Sequence, residues 1–167
     1  MELLDVYNND GLPTGKIVKR GAKDDEFSEG EHIAVAIIFI ENSKNEFLIQ
    51  KASVQKKGEY SSTGGHVDHN EKPLDAIIRE TKEEIGIDIS KEKVIDLGYI
   101  IVDFPVRFIY YLKKDINIKD FKLQKEEVES VSYMTIEEIR NIIKKGKMNK
   151  GHAIAFEYVL NCQNEIQ

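Results

Sequence analysis

The sequence predicts an α/β fold: a mixed β-sheet with helices on both faces, preceded by an N-terminal hairpin. Three observations predict it. Residues 33–40 (IAVAIIFI) are apolar without a break, the mark of a strand buried on both faces. Residues 74–87 carry Leu74, Ile77, Ile78, Thr81 and Ile85 on one face when set on a wheel at about 100° per residue. Strand-like and helix-like segments then alternate along the chain, an order that layers helices against a sheet.

Taken in order, residues 3–7 have strand character, Asn9-Asp10-Gly11 signals a turn, and residues 15–20 return as a second strand. Residues 21–31 are polar and contain glycine, so they form a loop. The apolar strand at 33–41 ends at a turn over 42–45 and pairs with a strand at 47–51. Residues 53–60 read as loop, and Gly64-Gly65 breaks the chain before a helix starting near Pro73. Proline suits a first helical position, where its missing N–H would have no partner. Gly86 is the helix stop. Strands follow at 95–102, 106–112 and 129–134. Thr135 and Glu138 form a capping box for a helix to about Lys145. A last helix covers about 152–161.

A length of 167 residues suits one compact domain. Thirty acidic against 24 basic residues give a net charge of −6, which argues against a stable nucleic-acid partner. The longest apolar run falls far short of the roughly 20 residues that span a bilayer, and MELLDVYNND lacks the layout of a secretory signal. The single cysteine, Cys162, leaves no internal disulfide and no Cys cluster for zinc. These features lead us to expect a cytoplasmic protein with no membrane association. The lysines at 144, 145, 147 and 150 read as a solvated helix end and loop.

The chemistry sits on the helix at 74–87. Glu80, Glu83 and Glu84 fall together on a face of their own, beside the small Ala76, because residues three and four apart are neighbours. Like charges at this spacing repel by roughly 0.2–0.5 kcal/mol per pair. A solvated acidic patch tolerates that cost, and a divalent cation reverses it, since hard cations take oxygen ligands and share them with substrate phosphates. Gly64 and Gly65 allow a close backbone approach just upstream. Arg79 has the forked geometry to hold the Glu71 carboxylate.

From Gly65 the segment reads G-HVDHN-E-KPLDAII-R-E-T-K-E-E-I-G-I, ending at Ile87. It resembles the Nudix box G-x5-E-x7-R-E-U-x-E-E-x-G-U at every fixed position: Gly65, Glu71, Arg79, Glu80, Glu83, Glu84 and Gly86. The resemblance implies a Nudix-type α/β/α sandwich over residues 31–162, with residues 1–30 as an N-terminal extension and 163–167 as a tail. It implies Mg²⁺ held by Glu80, Glu83 and Glu84 with the Gly64 carbonyl, and structural support from Gly65, Glu71, Arg79 and Gly86. The activity implied is metal-dependent hydrolysis of a diphosphate linkage in a nucleoside diphosphate derivative or related organic pyrophosphate. Dimers are common among relatives, so a homodimer fits.

Asn70 departs from the glycine that many relatives have before the box glutamate, although asparagine tolerates left-handed angles. His66 and His69 are unusual neighbours for the acids; they suit hydrogen bonds, and Mn²⁺ better than Mg²⁺. Glu80 and Glu84 are the first candidate ligands, with Glu83 as third ligand or base. A further catalytic acid is expected in QKEEVE, where Glu127 is our choice. Lys56, Arg107 and Tyr60 are the substrate-binding candidates; Phe104 and Tyr110 are also placed to stack on a base or to join the core.

The N-terminal extension and LIQKASVQKKGEYSSTGGH resemble Nudix proteins related to isopentenyl-diphosphate isomerases, which transfer a proton instead of cleaving phosphate. Those isomerases carry a cysteine where this chain has Ser61-Ser62-Thr63, and an arginine where it has Ala52. Both departures weigh against isomerase chemistry. A catalytically silent nucleotide-binding module is the other alternative; such modules have eroded boxes, and this one is complete.

Overall fold

The apolar run at 33–40 forms the middle of the sheet. The computed structural model describes residues 2–166, with side chains through Gln163. Its elements are β1 (Leu3–Tyr7), β2 (Pro13–Lys19), β3 (Ala34–Glu41), β4 (Phe47–Ala52), β5 (Tyr60–Ser61), β6 (Thr63–His66), α1 (Pro73–Ile85), β7 (Ile95–Ile101), β8 (Val106–Lys113), β9 (Val128–Met134), α2 (Ile136–Lys144) and α3 (Lys150–Ile166).

All eight residues of β3 are buried. It runs parallel to β8, from Ala34 opposite Val106 to Glu41 opposite Lys113. Its other edge pairs antiparallel with β6, Ala36 facing Gly65, and meets β4 at Glu41 and Phe47. The sheet order is β5-β4-β3-β8-β7, with β9 on β4. Side chains alternate across it. Ala36, Ile38 and Ile40 join Ala76, Ile77 and Ile85 of α1. Ile37 and Phe39 join Ile139 of α2 and Ala155, Phe156 and Val159 of α3. The result is a sandwich with helices on both faces of a mixed sheet, as the sequence predicts.

Helix limits follow local chemistry. Pro73 opens α1, and Gly86 closes it in the left-handed region at φ 76°. The Thr135 hydroxyl accepts from the Glu138 amide at 3.1 Å, and the Glu138 carboxylate accepts from the Thr135 amide at 3.1 Å. The start of α3 is set by Asn149, whose side-chain oxygen accepts from the amides of Gly151 and His152 at 3.0 and 3.3 Å. No glycine or proline follows Asn161, so α3 continues to Ile166 and takes in positions expected to form a tail.

Two other expectations change. Gly64-Gly65 does not break the chain but lies within β6, held there by its neighbour β3. Leu74 is 42% exposed while Ala76 is fully buried. The docking arc of α1 is therefore rotated toward the acids, and Glu80 and Glu84 are drawn inward with it.

The N-terminal hairpin is fastened to the domain. Leu4, Val6 and Val18 form a small core with Ala22, Phe27 and Ile33 around it. Tyr7 and His32 exchange backbone hydrogen bonds at 2.7 and 2.9 Å. The Asp5 carboxylate meets His69 Nδ1 at 2.7 Å and accepts from the Asn70 amide at 3.0 Å. The His69 amide donates to the Leu3 carbonyl at 2.8 Å. Asn70 adopts φ 65°, the left-handed turn expected of it.

Candidate active site

Strand β6, the loop after it and α1 wrap around Arg79. Its Nε and Nη2 donate to both oxygens of Glu71 at 2.8 and 3.0 Å. Nη1 donates to Glu80 at 2.9 Å and Glu83 at 3.2 Å, and Nη2 also reaches the His66 carbonyl at 3.0 Å. Glu71 in turn accepts from the Asp68 amide at 3.0 Å. This bidentate pairing ties the loop to the helix and leaves Arg79 fully engaged.

The two glycines are required by space. A Cβ on Gly65 would fall inside the Glu80 carboxylate, and one on Gly64 would collide with the Ala36 carbonyl. Such proximity lets Glu84 accept from the Gly64 amide at 3.3 Å. Glu80 is 16% exposed at its side chain and Glu83 50%, so the three box acids differ in depth.

The carboxylates crowd a cavity of about 300 Å³ that also includes Glu127 and Gln124. Burial, then the Glu80 charge, push the Glu84 carboxyl up to about 8, and Glu127 adds to the effect. Burial also raises Glu80, although Arg79 opposes it. Carboxylates in this state hold either a proton or a cation. The all-oxygen donor set fits a hard divalent ion. Among the described residues, no group of three acidic or metal-ligating side chains already converges on one point; Arg79 holds Glu80 and Glu83 to itself. The residues fit the ion by chemistry and depth.

A pH profile follows. The fold raises the Glu84 pKa from 4.5 to about 8 and so favours the neutral form. That contribution is complete below pH 4.5 and is lost as pH rises through 8, at up to about 1.4 kcal/mol per pH unit. In EDTA, the melting temperature is expected to fall between pH 7 and about 8 and to level off above that, in a range higher than where histidines ordinarily titrate. Added Mg²⁺ should cancel the fall, and a flat EDTA profile would show that Glu84 ionises without cost.

The remaining candidates are spread more widely. Glu127 lies at the cavity, paired with Lys56 at 3.5 Å, so Lys56 stands at its rim. Arg107 faces the α2/α3 side of the sheet against Gly151, and its Nε is buried with no hydrogen-bond partner. Tyr60 does not line the acid cavity; it lines a separate cleft with Lys51, Lys57 and Lys147. Phe104 packs on Phe27, and Tyr110 is buried in the α1-side core. His66 lines the acid cavity, and burial lowers its pKa; His69 is bound to Asp5.

Sequence reasoning missed Glu2 and Arg20. Both line the acid cavity from the N-terminal hairpin, and no local pattern around them marks that destination. Gln124, which a search for acids does not mark, also lines the cavity, and its backbone N–H donates to the Glu84 backbone carbonyl at 2.9 Å.

Known proteins resemble this chain in sequence and in fold. The family model described as the NUDIX domain matches residues 30–158. An uncharacterized Nudix hydrolase of Listeria monocytogenes is 32% identical over 157 residues, covering 88% of each chain. An asymmetrical bis(5'-nucleosyl)-tetraphosphatase of Mus musculus is 29% identical over 125 residues, covering 68% of this chain and 82% of that protein. The crystal structure of DR0079 from Deinococcus radiodurans superposes with a TM-score of 0.75 at 21% identity, covering 94% of this chain and 97% of that one, and shares the fold.

Proposed function

The chain belongs to the Nudix family and is a Nudix pyrophosphohydrolase, and we propose that it hydrolyses the diphosphate linkage of a nucleoside diphosphate derivative, or a related organic pyrophosphate, with Mg²⁺. The observation that carries this reading is Glu84, a recessed carboxylate facing Glu80 and Glu127 in a cavity whose central cation, Arg79, is bound to Glu71, Glu80 and Glu83. The site has an excess of desolvated negative charge that a divalent ion offsets.

Glu80 and Glu84 would hold the ion, with Glu83 and the Gly64 carbonyl as further donors. Mg²⁺, when bound, would neutralise substrate phosphate and lower the pKa of the attacking water. Arg79 orients Glu80, binds the His66 carbonyl at the end of β6 and, through Glu71, fixes the loop that follows. Glu83 and Glu127, carboxylates of the cavity more exposed than Glu80, would take up the proton as water attacks phosphorus. The bond between bridging oxygen and phosphorus breaks, and two phosphorylated products leave. Mn²⁺ would suit the same donors.

Membership of the isopentenyl-diphosphate-isomerase-like subset is supported by the N-terminal extension and the segment before the box. Proton transfer by a thiol is not supported. At the corresponding position, between β5 and β6, Ser62 is buried and its hydroxyl contacts His152 Nδ1 at 2.8 Å, while Cys162 belongs to α3.

The test is a panel of nucleoside di- and triphosphates, nucleotide sugars, ADP-ribose, dinucleoside polyphosphates, coenzyme A and isopentenyl diphosphate. Each is incubated with Mg²⁺, Mn²⁺ or EDTA, with products identified by mass spectrometry. Metal-dependent cleavage between phosphates is expected. Rearrangement of isopentenyl diphosphate without cleavage would replace hydrolysis by isomerisation, and nucleotide binding without turnover would mean a silent module.

A further inference from the structure

We propose that the N-terminal hairpin completes the substrate site: Arg20 binds a phosphate of the diphosphate substrate, and Glu2 is its exchangeable partner in the empty enzyme. This rests on the hydrolytic reading above. Arg20 follows β2 and lies outside the residues matched by the family model, yet it lines the acid cavity alongside Glu80, Glu83 and Glu84. Its position is not accidental to a loose tail. Asp5 and Leu3, on the paired strand, bind His69 and Asn70 of the box loop directly, and the Arg20 amide donates to the Glu2 carbonyl at 3.0 Å.

The charges explain why a phosphate would seek Arg20. The cavity is lined by two guanidinium groups, Arg79 and Arg20. Arg79 already donates to Glu71, Glu80, Glu83 and the His66 carbonyl. Arg20 has its Nη1 2.5 Å from Glu2, with the two side chains 52% and 55% exposed. Exposed pairs of this kind contribute little and exchange readily, whereas a guanidinium fork binds a phosphate through two parallel hydrogen bonds. Arg20 also walls an adjoining cavity of about 320 Å³ with His66, Phe27 and Phe104. It therefore stands at the junction where a diphosphate would leave the carboxylates and its organic substituent would begin.

The direction of two variants tests this. Methylenediphosphonate, which cannot be hydrolysed at its bridge, is titrated calorimetrically into the 167-residue chain with Mg²⁺, and KM is measured on the substrate found in the panel. Arg20→Gln is expected to weaken diphosphonate binding and raise KM about tenfold, the order expected for one charge-assisted contact, with Arg20→Lys recovering part. Glu2→Gln is expected to tighten binding a few-fold, because it removes the competitor. A purely structural ion pair predicts the opposite pattern, with both variants breaking the same contact and shifting binding the same way. Wild-type affinity in Arg20→Gln, or equal weakening in both variants, would overturn the proposal. Failure of hydrolysis across the panel would strike the hydrolytic reading instead, since diphosphonate binding does not need turnover.

Discussion

Glu84→Gln is expected to reduce metal-dependent turnover at least about a hundredfold, the scale of losing one group that holds charge in a transition state. Folding should survive it. Glutamine keeps the length and shape of the side chain, and its amide oxygen can still accept from the Gly64 amide. In EDTA above pH 8 the variant should melt higher than the wild type, because a neutral group replaces a carboxylate that burial and Glu80 push up to about 8. Turnover and stability would then move in opposite directions. Near-normal turnover would remove Glu84 from the metal site.

Gly65→Ala should also abolish most activity, again about a hundredfold, for a steric reason. The new methyl group would occupy the Glu80 carboxylate, so either Glu80 leaves Arg79 or β6 shifts along β3. Overpacking of this kind costs about 1–3 kcal/mol. At Gly64 the obstacle is the Ala36 backbone, which cannot swing away. Gly64→Ala should therefore lose more stability than Gly65→Ala. Combining Gly65→Ala with Glu80→Ala should restore the melting temperature but not the turnover. Wild-type kinetics in Gly65→Ala would mean that Glu80 has room the structure does not give it.

These glycines also show which parts of the molecule the sequence revealed. The grouping of the three acids was readable because a helix converts intervals of three and four into neighbours, and the pairing of Arg79 with Glu71, in the loop before the helix, was readable from the guanidinium's fit to a carboxylate. Pro73, Gly86 and the Thr135–Glu138 box fixed helix limits through local chemistry alone. Strand β6 was not readable, since a Gly-Gly pair carries no strand preference and its conformation comes from β3. The depth of Glu84 was hidden for a related reason. The apolar residues of α1 mark one face, but the sheet receives a face turned toward Ala76 and the acids. Arg20 was least readable of all. Its place at the cavity depends on Asp5 meeting His69 and Asn70, which lie 64 and 65 residues along the chain from Asp5.

The parallel pairing of β3 with β8 bears on the order in which the molecule assembles. Ala34 and Val106 are partners, and β4, β6, α1 and β7 all lie in the chain between them. Closing so long a loop is entropically costly before any contact rewards it, so ordering of the central sheet is a late and slow step. The hairpin of β1 and β2 needs only a short turn and can form early. During synthesis, the box helix leaves the ribosome before the strand that completes its sheet. The acidic cluster therefore emerges solvated, where its charges repel weakly, and the part of its cavity wall formed by Gln124 and Glu127 is the last to be synthesised.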